Sequence, residues 1–246
     1  MRILPAISVL LLTGCNVLGI SAGKYAKYPE NPYSRYRKIA VLPVTQYKDL
    51  KHPVDVNEFG TIFATELAKF PGVMVVRPSE MAAEIRMIGR QMTADDAVRL
   101  AEMFDADAVI ALTITDFDPY APPKMAVQLQ VVSAVSDEPT IAAFNIDALA
   151  RSGRWGEAPV RMESSKQGRF VAAFELVRDT NNRDVYHAAR QYAASGSPEH
   201  MPFPEESDPT VYRTDRFMEF VGNEIVRGFF KTHPDYVEYG TRPEQR

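Results

Sequence analysis

The run from Ala94 to Val132 leaves this chain the fewest ways to fold. Thr93 sits where a helix N-cap belongs, with Asp96 as its capping-box partner. Ala97, Leu100, Ala101 and Phe104 follow at helical spacing and form one apolar face. Asp105-Ala106-Asp107 closes that helix and launches Ala108-Val109-Ile110-Ala111-Leu112-Thr113-Ile114-Thr115. This segment is apolar on both faces, as a central strand covered by helices must be. Asp116 to Lys124, with Pro119, Pro122 and Pro123, turns the chain around. Met125, Val127, Leu129 and Val131 then alternate with Ala126, Gln128 and Gln130, so the next strand has one face toward polar surroundings.

The flanking segments extend the same pattern. Ile39 to Val44 is a short apolar strand, with Pro43 at a sheet edge or end. Val56, Phe59, Phe63, Leu67 and Phe70 form the stripe of a helix over about Val54 to Phe70, stopped by Pro71-Gly72. Val73 to Val76 is a second buried strand, and Ser79 caps a helix carrying Met81, Ala82, Ile85 and Ile88. Residues 136–168, with Asp137-Glu138-Pro139 and a glycine-flanked Trp155, form a surface excursion between two paired strands. Phe170, Ala172, Phe174 and Leu176 are the inward face of the second of these. A helix over about Asp184 to Ala194 buries Val185, Ala188 and Tyr192, and a proline-rich acidic loop runs from Ser195 to Pro209. Phe217, Phe220, Val221, Ile225 and Phe229 mark a closing helix. The expected fold is α/β (α+β): a layered sandwich with a mixed β-sheet of about five strands, packed by helices and closed by a C-terminal helix. It forms a single domain over 38–231, followed by a flexible tail at 232–246.

The first residues carry the most specific functional signal. Arg2 precedes an apolar run, Ile3 to Leu12, of signal-peptide length and too short to span a bilayer. Leu12-Thr13-Gly14-Cys15 follows at once and resembles a bacterial lipobox. That resemblance implies cleavage after residue 14, diacylglycerol on the Cys15 sulfur and a further acyl chain, such as palmitate, on the freed amine. Each buried methylene adds about 0.8 kcal/mol, so two or three chains anchor firmly. Asn16, rather than aspartate, favours the outer membrane and its periplasmic face. Residues 15–37, mixing tyrosines, cations and prolines without periodicity, are expected to be a lipidated, extended tether whose tyrosines could also rest on headgroups or a partner.

Cys15 is the only cysteine, so no disulfide forms within one chain and the core must hold the fold. With 46% hydrophobic residues that is feasible. A net charge of −4 and no basic block argue against nucleic acid as a partner.

"Lys-Ile-Ala-Val-Leu-Pro-Val" at 38–44, "Phe-Pro-Gly-Val-Met-Val-Val-Arg" at 70–77 and "Ala-Asp-Ala-Val-Ile-Ala-Leu-Thr-Ile-Thr" at 106–115 follow in order. In that order and spacing the chain resembles a periplasmic α/β module shared by the curli secretion lipoprotein CsgG, the penicillin-binding-protein activator LpoB and the TolB amino-terminal domain. The resemblance spans about 38–133 together with the C-terminal helix. The chain departs from it at Asp105 and Leu112, where members often have glycine, and it lacks the repeats of a TolB propeller. The module carries no family-wide catalytic residues, so the resemblance implies protein binding rather than catalysis.

The search for chemistry is mostly negative. His52, His187, His200 and His233 have no partners at zinc-ligand spacing, and no Gly-x-Ser-x-Gly elbow or phosphate loop is present. No cofactor and no metal site is expected. Asp116 and Asp118, at the end of the central strand, are candidates for a metal-dependent hydrolase, against the plainer reading of an aspartate turn before Pro119. Asp95-Asp96 complements a helix dipole.

Two features suit a partner. Tyr120-Ala121-Pro122-Pro123 is a stiff turn carrying an aromatic ring, and Trp155 lies between Arg151, Arg154 and glycines; interfaces favour Trp, Tyr and Arg. The leading expectation is a non-catalytic envelope lipoprotein that binds another envelope protein. The alternatives are a homo-oligomeric outer-membrane channel subunit of the curli type and a hydrolase. The channel needs alternating strands of roughly 9–11 residues, and 136–168 is too charged and broken for that.

Overall fold

The apolar segment Ala108–Thr115 becomes the middle of the sheet because helices cover it from both sides. The computed structural model describes residues 25, 27–88, 94–135, 169–195 and 213–233. In chain order these form β1 (Lys38–Val41), β2 (Thr45–Gln46), α1 (Val56–Ala68), β3 (Met74–Val76), a 3-10 turn (Pro78–Glu80), α2 (Ala82–Ile88) and α3 (Ala94–Met103). β4 (Ala108–Asp118), β5 (Lys124–Ser133), β6 (Arg169–Asp179), α4 (Arg183–Ser195) and α5 (Thr214–Lys231) complete the fold. The sheet runs β3-β1-β4-β5-β6, with β2 beside β4. β1 is parallel to β3 and β4, while β5 and β6 continue antiparallel. The fold is the expected α/β sandwich with a mixed sheet and a closing helix.

The sixth strand arises from Pro43. Proline has no N–H to give, so β1 ends its ladder with Leu42 N donating to Ile110 O at 2.9 Å. Pairing resumes at Thr45 opposite Thr113. β4 runs on to Asp118, beyond the expected end at Thr115, because a bulge between Ile114 and Asp116 keeps it paired with β5.

Alternation along β1 and β4 divides the core. Ile39, Val41, Ala108, Ile110, Leu112 and Ile114 join Phe59, Phe63, Phe217, Phe220 and Phe229 on one side. Ala40, Leu42, Val76 and Val109 meet Met81, Ala97, Leu100 and Ala101 on the other. Gly228 allows α5 onto β6, since a Cβ there would lie 3.0 Å from Phe174 Cζ.

Local chemistry sets the ends of the elements. Asp55 caps α1, its Oδ1 accepting from Asn57 N at 2.9 Å and Glu58 N at 3.0 Å. Ser79 is not the cap expected from the sequence; it lies inside the 3-10 turn, where Glu80 Oε1 accepts from Arg77 N at 3.0 Å. After α3, Ala106 N donates to Ala101 O at 2.8 Å and Asp105 N to Glu102 O at 3.2 Å, a Schellman closure with Asp105 left-handed at φ 52°. Asp107 Oδ2 then accepts from Arg37 N and Lys38 N, both at 2.8 Å, tying the start of β1 to the start of β4.

The expected extended tether needs correction from Tyr25 onward. Tyr25, Tyr33 and Tyr36 are buried in the core, and Tyr28 packs against it. Tyr33 stacks on Phe229 at 4.7 Å, and Tyr28 meets Phe70 edge-on at 5.1 Å. The segment therefore straps the helical layer instead of resting on headgroups or a partner.

Beneath this strap lie charged side chains from α1, α5 and β6. Glu224 Oε1 accepts from the Tyr25 hydroxyl at 2.8 Å, and Glu224 Oε2 from Arg178 Nη2 at 2.9 Å. Arg227 donates from Nε to Asn223 Oδ1 at 2.7 Å and from Nη2 to Lys27 O at 2.9 Å. Asn223 Nδ2 reaches Glu66 Oε2 at 3.2 Å, and Lys69 bonds Glu66 Oε1. Burial, reinforced by the Glu224 carboxylate, pushes the Tyr25 hydroxyl far above its usual range, so it remains a donor. Burial and the Glu66 carboxylate do the same to Tyr192.

Two outcomes follow for urea denaturation. Arg178→Ala leaves Glu224 buried without its cation and is expected to lower stability by roughly 3–5 kcal/mol. Starting the chain at Lys38, harmless to a passive linker, should lower the midpoint strongly by uncovering the same charges.

Candidate partner-binding surface

The surface forms beyond the end of β2, beside the last residues of β4 and the turn that follows it. Tyr47 N donates to Ile114 O at 3.0 Å, and the Thr45 and Thr113 hydroxyls meet at 2.9 Å. Gln46 Oε1 accepts from Val54 N at 3.2 Å, which closes the intervening loop and holds His52 beside the turn after β4. The His52 ring meets the Tyr120 ring edge-on, 5.0 Å between centroids. His52 Nε2 is enclosed and has no hydrogen-bond partner.

The turn itself is stiff. Asp118 Oδ1 accepts from Tyr120 N at 3.1 Å, the Ala121–Pro122 bond is cis, and Pro123 O accepts from Thr180 N at 3.1 Å and Thr180 Oγ1 at 2.9 Å. Pro123 is buried and Pro122 exposed, so one proline supports the turn and the other presents it. Tyr120 is 67% exposed and Tyr47 51%, which gives this end of the sheet two aromatic side chains open to solvent.

Asp116 and Asp118, the hydrolase candidates, have structural employment. Asp116 Oδ2 pairs with Lys124 Nζ at 2.6 Å, and this hydrogen bond holds the Lys124 ammonium above its ordinary range. Asp118 forms the turn that orients Tyr120. The described residues include no group of three or more His, Cys, Asp or Glu able to hold a metal.

The structure brings the Tyr120, Pro122 and Pro123 turn together with His52, a residue that sequence reasoning does not assign to this surface, and leaves Tyr47 exposed at the same end of the sheet. In the sequence His52 stands only as a histidine without zinc-ligand partners; the signal pointing to this surface is the His52-Pro53 loop after an interrupted strand. The other candidates, Arg151, Arg154 and Trp155, lie outside the described residues, as do Leu12, Thr13, Gly14, Cys15, the Thr93 cap and the 136–168 excursion.

No family model matches the chain. No curated protein matches it in sequence either. Among solved structures, the LpoB C-terminal domain from Salmonella enterica is similar at 15% identity, covering 44% of this chain and 80% of that one, with a TM-score of 0.35. The hypothetical protein CT253 from Chlamydia trachomatis is 13% identical over 80% of this chain and 99% of its own, TM-score 0.37. Lipoprotein GNA1162 from Neisseria meningitidis is 15% identical over 48% and 92%, TM-score 0.29. At these scores the likeness is too distant to transfer a role to any residue.

Turn presentation and turn support should separate in denaturation experiments. Tyr120→Ala is expected to change stability by less than about 0.5 kcal/mol. Thr180→Val removes a buried hydrogen bond and should cost about 0.5–1.5 kcal/mol.

Proposed function

We propose that this chain is a non-catalytic cell-envelope lipoprotein, held by lipid on Cys15 at the periplasmic face of the outer membrane, whose α/β body binds another envelope protein. The observation that carries the binding reading is the Tyr120 turn. An exposed aromatic ring on a backbone held by Asp118 and Thr180 meets a partner with little ordering left to lose. Tyr47 and Pro122 extend the contact, with Arg151, Arg154 and Trp155 as further contacts. The lipid anchor rests on Leu12-Thr13-Gly14-Cys15 alone.

Two measurements test the halves separately. Full-length protein made in a Gram-negative host is expected to incorporate labelled palmitate and sediment with membranes, whereas Cys15→Ala should do neither. A photo-reactive phenylalanine analogue in place of Tyr120 should yield one discrete heavier adduct in envelopes, and the same analogue in place of the exposed Ser34 should not. Equal cross-linking from both positions would remove the Tyr120 turn from the interface.

A further inference from the structure

On the sheet face opposite α1, α4 and α5, two helical stripes confront each other across a groove of about 370 Å³. Glu84, Met87 and Ile88 come from α2 at i, i+3 and i+4. Asp96, Arg99, Leu100 and Met103 come from α3 at i, i+3, i+4 and i+7. The floor is apolar, with Leu100 seated in the core beneath. Its walls are two methionines left in solvent, Met87 at 87% and Met103 at 67% exposure. Unbranched, polarizable methionine adapts to irregular apolar partners and recurs on surfaces that bind helices.

The groove also has a charge preference. Glu84 lines it, and Glu84 Oε2 is enclosed with no hydrogen-bond partner; across α3, Asp95 Oδ1 in the adjoining cleft is in the same condition. Among the described lining residues the arginine, Arg99, is engaged with Asp96 at 2.7 Å. The Arg86 guanidinium turns back to Ala82 O at 3.0 Å. Glu84 and Asp96 in the groove, with Asp95 and Glu102 in the adjoining cleft, outnumber Arg99 and leave the described lining acidic, which favours a basic partner.

We infer that the α2–α3 groove is a docking site for a basic amphipathic helix of a partner protein. Apolar residues of that helix at i, i+3, i+4 and i+7 fill the space between Met87 and Met103. Its flanking lysines or arginines reach Glu84 on one side and Asp95 on the other. This surface is separate from the Tyr120 turn and does not depend on it.

The test labels the methionine methyl groups of the full chain with 13C and titrates in a Leu/Lys amphipathic peptide of about four helical turns. The Met87 and Met103 resonances are expected to move while Met74, exposed on β3 and not a lining residue of the groove, stays in place. A Leu/Glu peptide of the same pattern should not bind. Glu84→Gln combined with Asp95→Asn should weaken the Leu/Lys peptide roughly tenfold, with unchanged resonances of the buried Met81, Met125 and Met218 showing the variant folded. If that pair of substitutions disturbs folding, Met103→Gln at the exposed wall serves in its place and should weaken the peptide as well. Equal movement of Met74, or unaltered affinity in the variants, would overturn the inference. Movement of Met87 and Met103 with protein concentration alone would also overturn it, in favour of a contact between copies of this chain.

Discussion

Everything on the helical side of this fold depends on keeping Arg178, Glu224, Arg227 and Glu66 paired out of water. Three of these side chains lie on the outer surface of α1 and α5, where a two-layer fold would leave them solvated. They are buried because the segment from Tyr25 to Tyr36 lies across them. Burying a carboxylate is unfavourable unless cations and donors surround it, and here a tyrosine hydroxyl, a guanidinium and an amide meet that need. The strap and the charges therefore hold each other. Stacking of Tyr33 on Phe229 and the placement of Arg227 over the Tyr25 ring at 5.2 Å add apolar and cation–π contacts along the same line.

The two sheet faces are finished differently. The α1, α4 and α5 side is closed by a third layer, the strap. The α2 and α3 side has no such cover among the described residues, and its helices are short, so methionines and partnerless carboxylates remain at the seam. The loops at the ends of β2 and β4 form a third surface, stiffened by hydrogen bonds and aromatic contact. One sealed face, one soft groove and one stiff tip give partners of different chemistry separate surfaces to meet.

Much of the scaffold was legible because it rests on local pattern. The double-faced run Ala108–Thr115, the alternation Met125–Val131 and the stripe Phe59, Phe63, Leu67 are each enough to define an element. Pro43 marked a break but not that pairing would resume at Thr45, since that depends on where Thr113 lies. The linker reading of residues up to Arg37 failed for a related reason. Tyr25, Tyr33 and Tyr36 have no period, because they follow the contour of a helical layer assembled from distant segments. The surface turn was readable in Tyr120, Pro122 and Pro123, whereas His52 and Tyr47 join it only across the sheet.

The sequence by itself determined the order and kind of the elements, the lipobox-like start and the Tyr120 turn, because each depends on neighbours within a few residues. The tertiary structure alone decided which polar residues are buried. Glu66, Asn223, Glu224 and Arg227 look like the solvent face of their helices, and only contacts across 199 positions, such as Tyr25 to Glu224, reverse that. Hydrophobic periodicity reports how one helix faces the sheet. It contains no information about a strap that returns to cover the other side.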